Sequence, residues 1–207
     1  MADRRSEDFP LFPLRLVVLP GELVPLHIFE ERYKTMIAEC LEHERELGIV
    51  WLADDGVREI GCACAIERVL ERMDDGRINL LVRGTRPFRV LERLEHLPYP
   101  AGVIELLQDA EDPASTPLAQ AAHEVYAELV KRATDREPDR DQLAEMTAYA
   151  MAATVDLGPE AKQSLLELRS ENARLRLLTR LLLGAIKRLE LAGAQARAQS
   201  NGKVRPG

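Results

Sequence analysis

Reactive side chains sit at suggestive spacings in three places. His43-Glu44 begins like the helical zinc motif in which two histidines lie four residues apart, but position 47 is Leu, so the second ligand is missing. Cys40 and His43 are three apart on a predicted helix, where they could share a face. Two ligands do not make a metal site, and a free Cys in an apolar stripe reads as core. Cys62 and Cys64 alternate on one face of a predicted strand, too close in sequence for an ordinary disulfide. The Cys-x-x-Cys pairs of zinc modules are absent. So are the phosphate-binding Gly-x-x-x-x-Gly-Lys-[Ser/Thr] loop, the Gly-x-Ser-x-Gly nucleophile turn and a dinucleotide fingerprint. His27, His96 and His123 are scattered, and no nucleophile–base set can be assembled. The reading is no catalytic residue, no metal and no cofactor. An enzyme ranks third among the readings, on these absent motifs.

Charge narrows the partner. Residues 1–110 hold 14 basic and 21 acidic residues, whereas Lys162 to Arg205 holds ten basic and three acidic. The acidic front half argues against nucleic acid there, although Arg83, Arg86 and Arg89 form a local cationic cluster. The basic stretch reads first as a solvated helix face, and it could also pack on the acidic half or bind a partner. Composition is 46% hydrophobic and 30% charged, that of a globular chain and not a disordered one. No apolar run approaches the roughly 18 residues of a membrane span, and Met1 to Arg5 leads into no apolar signal core. An odd number of cysteines, 3 in all, fits a reducing cytoplasm.

The elements that would position these residues alternate between strand and helix patterns. Leu16–Leu19 and Leu23–Phe29 read as buried strands around a Pro20-Gly21 turn, with Pro25 at a strand edge or bulge. From there to about Glu46 a helix places Tyr33, Met36, Ile37 and Cys40 on its core face and Glu31, Arg32 and Thr35 toward solvent. Gly48–Ala53 is a further strand. Ile60 to Glu67 and Ile78 onward form a hairpin about Asp75-Gly76, and Val103–Leu107 is the last strand. Ala110–Pro117, rich in Asp, Pro, Ser and Thr, is a boundary. Thr116 as N-cap and Pro117 at the first helical position start a helix striped by Leu118, Ala122, Val125 and Leu129. A second helix carries Leu143, Met146, Ala150 and Ala153, and Pro159 starts a third, in which Ser170 could cap a new segment. Residues 1–8 read as frayed, and 193–207 as a tail without a core face.

The wording of these stretches is more specific than their pattern. Phe12-Pro13-Leu14, an apolar run, Pro20-Gly21 and then Pro25-Leu26-x-Ile28-Phe29-Glu30 resemble the opening of the Lon protease amino-terminal, substrate-binding domain. Gly61, Ala65-Ile66, Asp75 to Gly84 and Arg86-Pro87-Phe88-Arg89-Val90 resemble its second signature block, and Lys162-Gln163-x-Leu165-Leu166-Glu167 its last part. The resemblance spans about residues 9–191. It implies an α+β fold, a PUA-like β-rich pseudobarrel over residues 9–112 followed by a helical bundle over 113–192 and a flexible tail over 193–207. It also implies a stand-alone recognition domain without the ATPase and peptidase regions, which binds unfolded or partner protein segments. An RNA-binding PUA-like module is the second reading, and a homo-oligomer stays open. Recognition of unfolded chain needs apolar surface in a concave site. The strand-to-helix corner meets that need, with Leu23, Leu26, Phe29, Glu31 and Arg32 expected to border a groove for extended or hydrophobic peptide.

Overall fold

The computed structural model describes residues 5–201. In chain order the strands are β1 (Arg5–Leu14), β2 (Leu23–Ile28), β3 (Leu47–Ala53), β4 (Gly56–Arg72), β5 (Ile78–Leu94) and β6 (Ala101–Leu106). The helices are α1 (Glu31–Glu42), α2 (Thr116–Thr134), α3 (Arg140–Glu145), α4 (Ala148–Ala152), α5 (Pro159–Glu167) and α6 (Glu171–Asn201). The chain forms two compact units. One runs to Ala110 and includes Ala152–Arg169; the other comprises Glu111–Met151 and the residues from Ser170 onward.

The first unit is a mixed sheet in the order β2-β5-β4-β3-β1-β6, and β6 also pairs with β5. That extra pairing closes five strands on themselves and leaves β2 hanging from β5. Only β1 and β3 run parallel. The hairpin β4–β5 is the spine, and its register slips at three places. Such bulges bend long strands enough to close a barrel. Phe9, Leu11, Val50, Ala63, Phe88, Val90 and Ile104 fill the interior. Phe88 is fully buried, and a methyl on Gly48 would come within 2.6 Å of its ring. Glycine there is what gives the ring its space. Burying one such aromatic side chain contributes about 2–3 kcal/mol.

Helix α1 buries Tyr33, Met36, Ile37 and Cys40, at helical spacing. The Pro20-Gly21 turn is locked to β5. Gly21 has φ 84, a conformation glycine adopts freely. Its N–H donates to the Gly84 carbonyl at 2.8 Å, and the Gly84 N–H donates to the Glu22 carbonyl at 2.9 Å. Glu22 also receives the Leu19 N–H at 3.0 Å and the Lys162 ammonium at 2.5 Å. Gln163 donates to the Ile60 carbonyl at 3.1 Å and to Glu167 at 2.9 Å. The Lys-Gln pair is therefore the clamp that holds α5 against the sheet.

In the second unit α2 and α6 run parallel. Asn172 accepts the Ser115 N–H at the start of both helices, and Arg132 pairs with Glu190 near the end of α2. Ser170 caps α6 through the Ala173 N–H at 3.2 Å and donates to Asp112 at 2.5 Å.

Several sequence expectations need correction. Residues 5–8, expected to be frayed, belong to β1, with Arg5 and Ser6 paired to Glu105 and Ile104 of β6 and a bulge before Phe9; backbone pairing does not require apolar side chains. Residues 1–4 lie outside the described residues. Leu16–Leu19 is no strand. Val17, Val18 and Leu19 are buried in an irregular segment whose backbone bonds are local, because an apolar run reports burial and not pairing. Helix α1 stops at Glu42, since Glu44 takes φ 50. The cap of α2 is Ser115, one residue before Thr116, and its side chain makes no cap bond. The second expected helix is two short ones, α3 and α4, broken at extended Met146. Residues 193–201 continue α6, in keeping with the high helix propensity of Ala, Gln and Arg. The rest of the expected tail, 202–207, lies outside the described residues.

Candidate functional site

At the corner where β2 turns into α1 the first unit carries a groove of ≈ 400 Å³, lined by Phe12, Pro13, Leu14, Phe29, Tyr33, Leu52 and Pro100, with Glu30 and Arg32 at its polar edge. A second depression of ≈ 340 Å³ shares Pro13, Arg32 and Pro100 with it and runs on past Leu94, Leu97, Pro98 and Tyr99. Arg32 thus stands between two apolar basins. The elements explain the surface. Pro13 still pairs with Val50 of β3, but it has no N–H for its other edge, and the β1–β6 register ends at Pro10–Ala101, just after Pro100, which leaves a concave edge.

The floor is aromatic. Phe12 and Tyr33 lie 4.2 Å apart, tilted by 40°. Burial is the largest influence on the Tyr33 hydroxyl and raises its pKa; Arg32 acts in the opposite direction and Glu30 in the same one. The Arg32 guanidinium sits 4.6 Å over the Tyr33 ring and pairs with Glu30 at 2.8 Å. Phe29 forms the rim. It is 60% exposed and stacks on His27 at 5.9 Å. His27 Nδ1 donates to the Asn79 side-chain oxygen at 2.6 Å, and the Asn79 amide donates to Glu71 at 2.9 Å. In the second basin the Tyr99 hydroxyl donates to Glu39 at 2.5 Å, and burial, foremost, raises its pKa.

The structure separates the five expected residues. Phe29 and Arg32 line the groove. Glu31 does not line it; its side chain is exposed and pairs with Lys34 at 2.8 Å. Leu26 is buried, because alternation along β2 turns it and Ile28 inward. Its small accessible area faces a different depression, beside Pro25, Leu70 and Asn79. Leu23 is exposed at the far end of β2 and lines neither basin. Sequence reasoning missed Phe12, Pro13, Leu52, Pro98 and Pro100. The signal was available in Phe12-Pro13 and Pro98-Tyr99-Pro100, where proline punctuates aromatic residues.

The other sequence candidates do not converge. Cys40 is buried while His43 is exposed. Cys62 and Cys64 are buried and donate to backbone carbonyls at 3.3 and 3.4 Å. Among the described residues no group of three or more His, Cys, Asp or Glu side chains could hold a metal ion. No helix there is long and apolar enough to cross a membrane. Of the three arginines of the expected cationic cluster, all on β5, Arg83 is held by both oxygens of Glu67 at 3.0 and 3.1 Å, and Arg86 pairs with Glu46 at 3.2 Å. The charges of Arg83 and Arg86 are matched by carboxylates. What the groove offers is apolar surface, an aromatic rim and one exchangeable ion pair.

Comparison with known proteins points to one family. The family described as ATP-dependent protease La (LON) substrate-binding domain matches residues 8–184. A Lon protease of Anaeromyxobacter dehalogenans is 26% identical over 84% of this chain, and one of Paraburkholderia phytofirmans 26% over 97%. The chain spans only about a quarter of the length of these relatives, 22% and 27% respectively. A crystal structure of a Lon N-terminal domain protein from Xanthomonas campestris superposes with a TM-score of 0.66 at 25% identity, covering 84% of this chain and 97% of that one. The N-terminal domain of a Mycobacterium avium complex Lon protease shares the fold, with a TM-score of 0.63 at 23% identity over 85% of this chain and 98% of that one. With its signature segments accounted for by the barrel, the turn lock and the α5 clamp, this chain belongs to the Lon substrate-binding domain family.

Proposed function

We propose that the first unit recognises extended apolar segments of other polypeptides through the groove divided by Arg32, and that it does so without catalysis of its own. The observation that carries this reading is the pair of apolar basins sharing Pro13, Arg32 and Pro100, with Phe29 standing 60% exposed at the rim. A large aromatic side chain left open to water beside a concave apolar surface marks an interaction site. Basins of this size each take one or two side chains of a guest, and the Arg32–Glu30 pair can open to meet its backbone or a charged neighbour. We read the closed five-strand arrangement as the PUA-like pseudobarrel, acting in the cytoplasm. Delivery of bound segments to an ATP-dependent protease, in the same chain or another, is part of this proposal. The carboxylates that hold Arg83 and Arg86 favour a protein guest over RNA.

The test is fluorescence anisotropy with a labelled, permanently unfolded model protein. Phe29→Ala with Arg32→Ala removes the rim and the divider, both exposed. Losing one well-used aromatic contact costs about 1–2 kcal/mol, or roughly tenfold in affinity. The melting temperature should hardly move. Unchanged affinity in the folded double variant would remove this groove from the function. Glu31→Ala, outside the groove, is the matched control and should bind like the parent.

A further inference from the structure

A second surface, on α6, is independent of the groove. Helix α2 is 19 residues long and α6 is 31, and the two start together. The inward side of α6 is used up by that packing: Leu175, Leu178, Leu182 and Ile186 are buried. Past the end of α2, near the Arg132–Glu190 pair, the seam loses its cover, and Leu189 is exposed. A different line of residues runs along the outer side. Arg176, Arg180, Leu183, Lys187 and Leu191 follow at intervals of four, three, four and four, which stacks them on one face of a helix. All five are exposed, the two leucines at 51% and 56%. Among the described residues none of these cations has a carboxylate partner, in a chain whose net charge is −7. Arg132, Lys131, Lys162 and Arg174, by contrast, are all paired.

We propose that this stripe docks an acidic amphipathic helix of a partner protein. Charge complementarity sets the sign: three uncompensated cations in line call for carboxylates at matching spacing. The two leucines set the form. They interrupt the cations eight residues apart, a little over two turns, so the seam offers apolar knobs between charges. From Arg176 to Leu191 the seam is about 22 Å long, at roughly 1.5 Å per residue. That length suits a partner helix of about four turns. A membrane surface is the poorer match, because the leucines lie in the same line as the charges and not on an opposite apolar face, and no aromatic residue accompanies them. A nucleic acid would use the cations and ignore the leucines.

The test uses the full chain and a fluorescein-labelled peptide of three heptads, with Leu at the a and d positions and Glu at e and g. Its affinity is compared with those of the same peptide carrying Gln for Glu, of polyglutamate, of an oligonucleotide and of vesicles rich in anionic lipid. The helical Glu peptide is expected to bind at least tenfold more tightly than each of the others. Arg180→Glu with Lys187→Glu should weaken it at least tenfold, and Leu183→Ser severalfold, with unchanged circular dichroism. If the charge reversal perturbs the helix, Arg180→Gln with Lys187→Gln replaces it, with a smaller loss expected. Equal binding of polyglutamate, preference for the oligonucleotide or vesicles, or full affinity in folded charge variants overturns the proposal. So does concentration-dependent self-association that the same variants abolish, since a second copy would then be the occupant. The groove variants Phe29→Ala and Arg32→Ala should leave this binding untouched.

Discussion

Replacing Gly84 with Ala tests the link between the turn and the barrel. Gly84 lies in β5 without a positive φ, so its own backbone would accept an alanine. The obstacle is the neighbour. A methyl built there overlaps the Leu19 carbonyl oxygen and comes to 3.0 Å from both the Leu19 carbonyl carbon and Val18 Cγ1. Leu19 cannot retreat freely, because its carbonyl accepts the Glu22 N–H at 3.0 Å while the Gly21–Gly84 and Gly84–Glu22 bonds, at 2.8 and 2.9 Å, hold the two segments together. Relieving the overlap means moving one backbone away from the other. Losing about two of these hydrogen bonds costs roughly 1 kcal/mol each, and overpacking a tight site adds about 1–3 kcal/mol. The expected loss is therefore about 3–5 kcal/mol, a large share of the stability of a typical domain. Urea unfolding followed by circular dichroism measures it. Gly21→Ala in the same turn is the contrast. Gly21 has φ 84 but no atom within 4 Å of a built methyl, so only the left-handed backbone resists, at about 1–2 kcal/mol. If Gly84→Ala lies within 1 kcal/mol of the parent, or costs less than Gly21→Ala, the turn lock as described is wrong.

Lys162→Met should destabilise the first unit by about 2–3 kcal/mol, because it strands Glu22 with its side chain only 13% exposed. Adding Glu22→Gln should recover part of that loss, and a double-mutant cycle measures the coupling. Burial pushes the Cys40 thiol up to about 11, so the folded chain holds this proton where the unfolded chain, near 9, releases it. That contribution is complete below pH 9 and declines as pH rises toward 11, and Cys40→Ala should flatten the decline in urea midpoints over that window. At pH 8 a thiol reagent should find none of Cys40, Cys62 and Cys64 in the native chain and all of them in urea. A fragment ending at residue 112 lacks Lys162, Gln163, Leu165 and Leu166, which are clamped on or buried in the first unit. It should aggregate or lose its strand signal in circular dichroism, and a native-like spectrum would show that α5 is dispensable.

Local physics made much of this molecule legible in its residues. The Tyr33, Met36, Ile37 and Cys40 stripe, the Asp75-Gly76 hairpin, the stop and restart at Ser170 and the Pro-Gly turn all follow from periodicity, capping and φ preference, which act over a few residues. The family was legible too, since its signature words are the turn, the Phe88 strand and the Lys162-Gln163 pair. The groove was half legible. Phe29 and Arg32 are neighbours in sequence on a corner that pattern could locate, but Phe12, Leu52 and Pro100 reach the same site from β1, β3 and the chain before β6. Their meeting depends on β1 pairing with β3 on one side and β6 on the other, contacts far apart in sequence that no local pattern encodes. Leu26 went the wrong way for the same reason: alternation shows that Leu26 and Ile28 share a face, and only the sheet decides which face is buried. The return of α5 to the sheet unit is likewise tertiary. Its sequence reads like any short amphipathic helix, and its place is set by where Glu22 and the Ile60 carbonyl stand, 140 and 103 residues earlier than their partners.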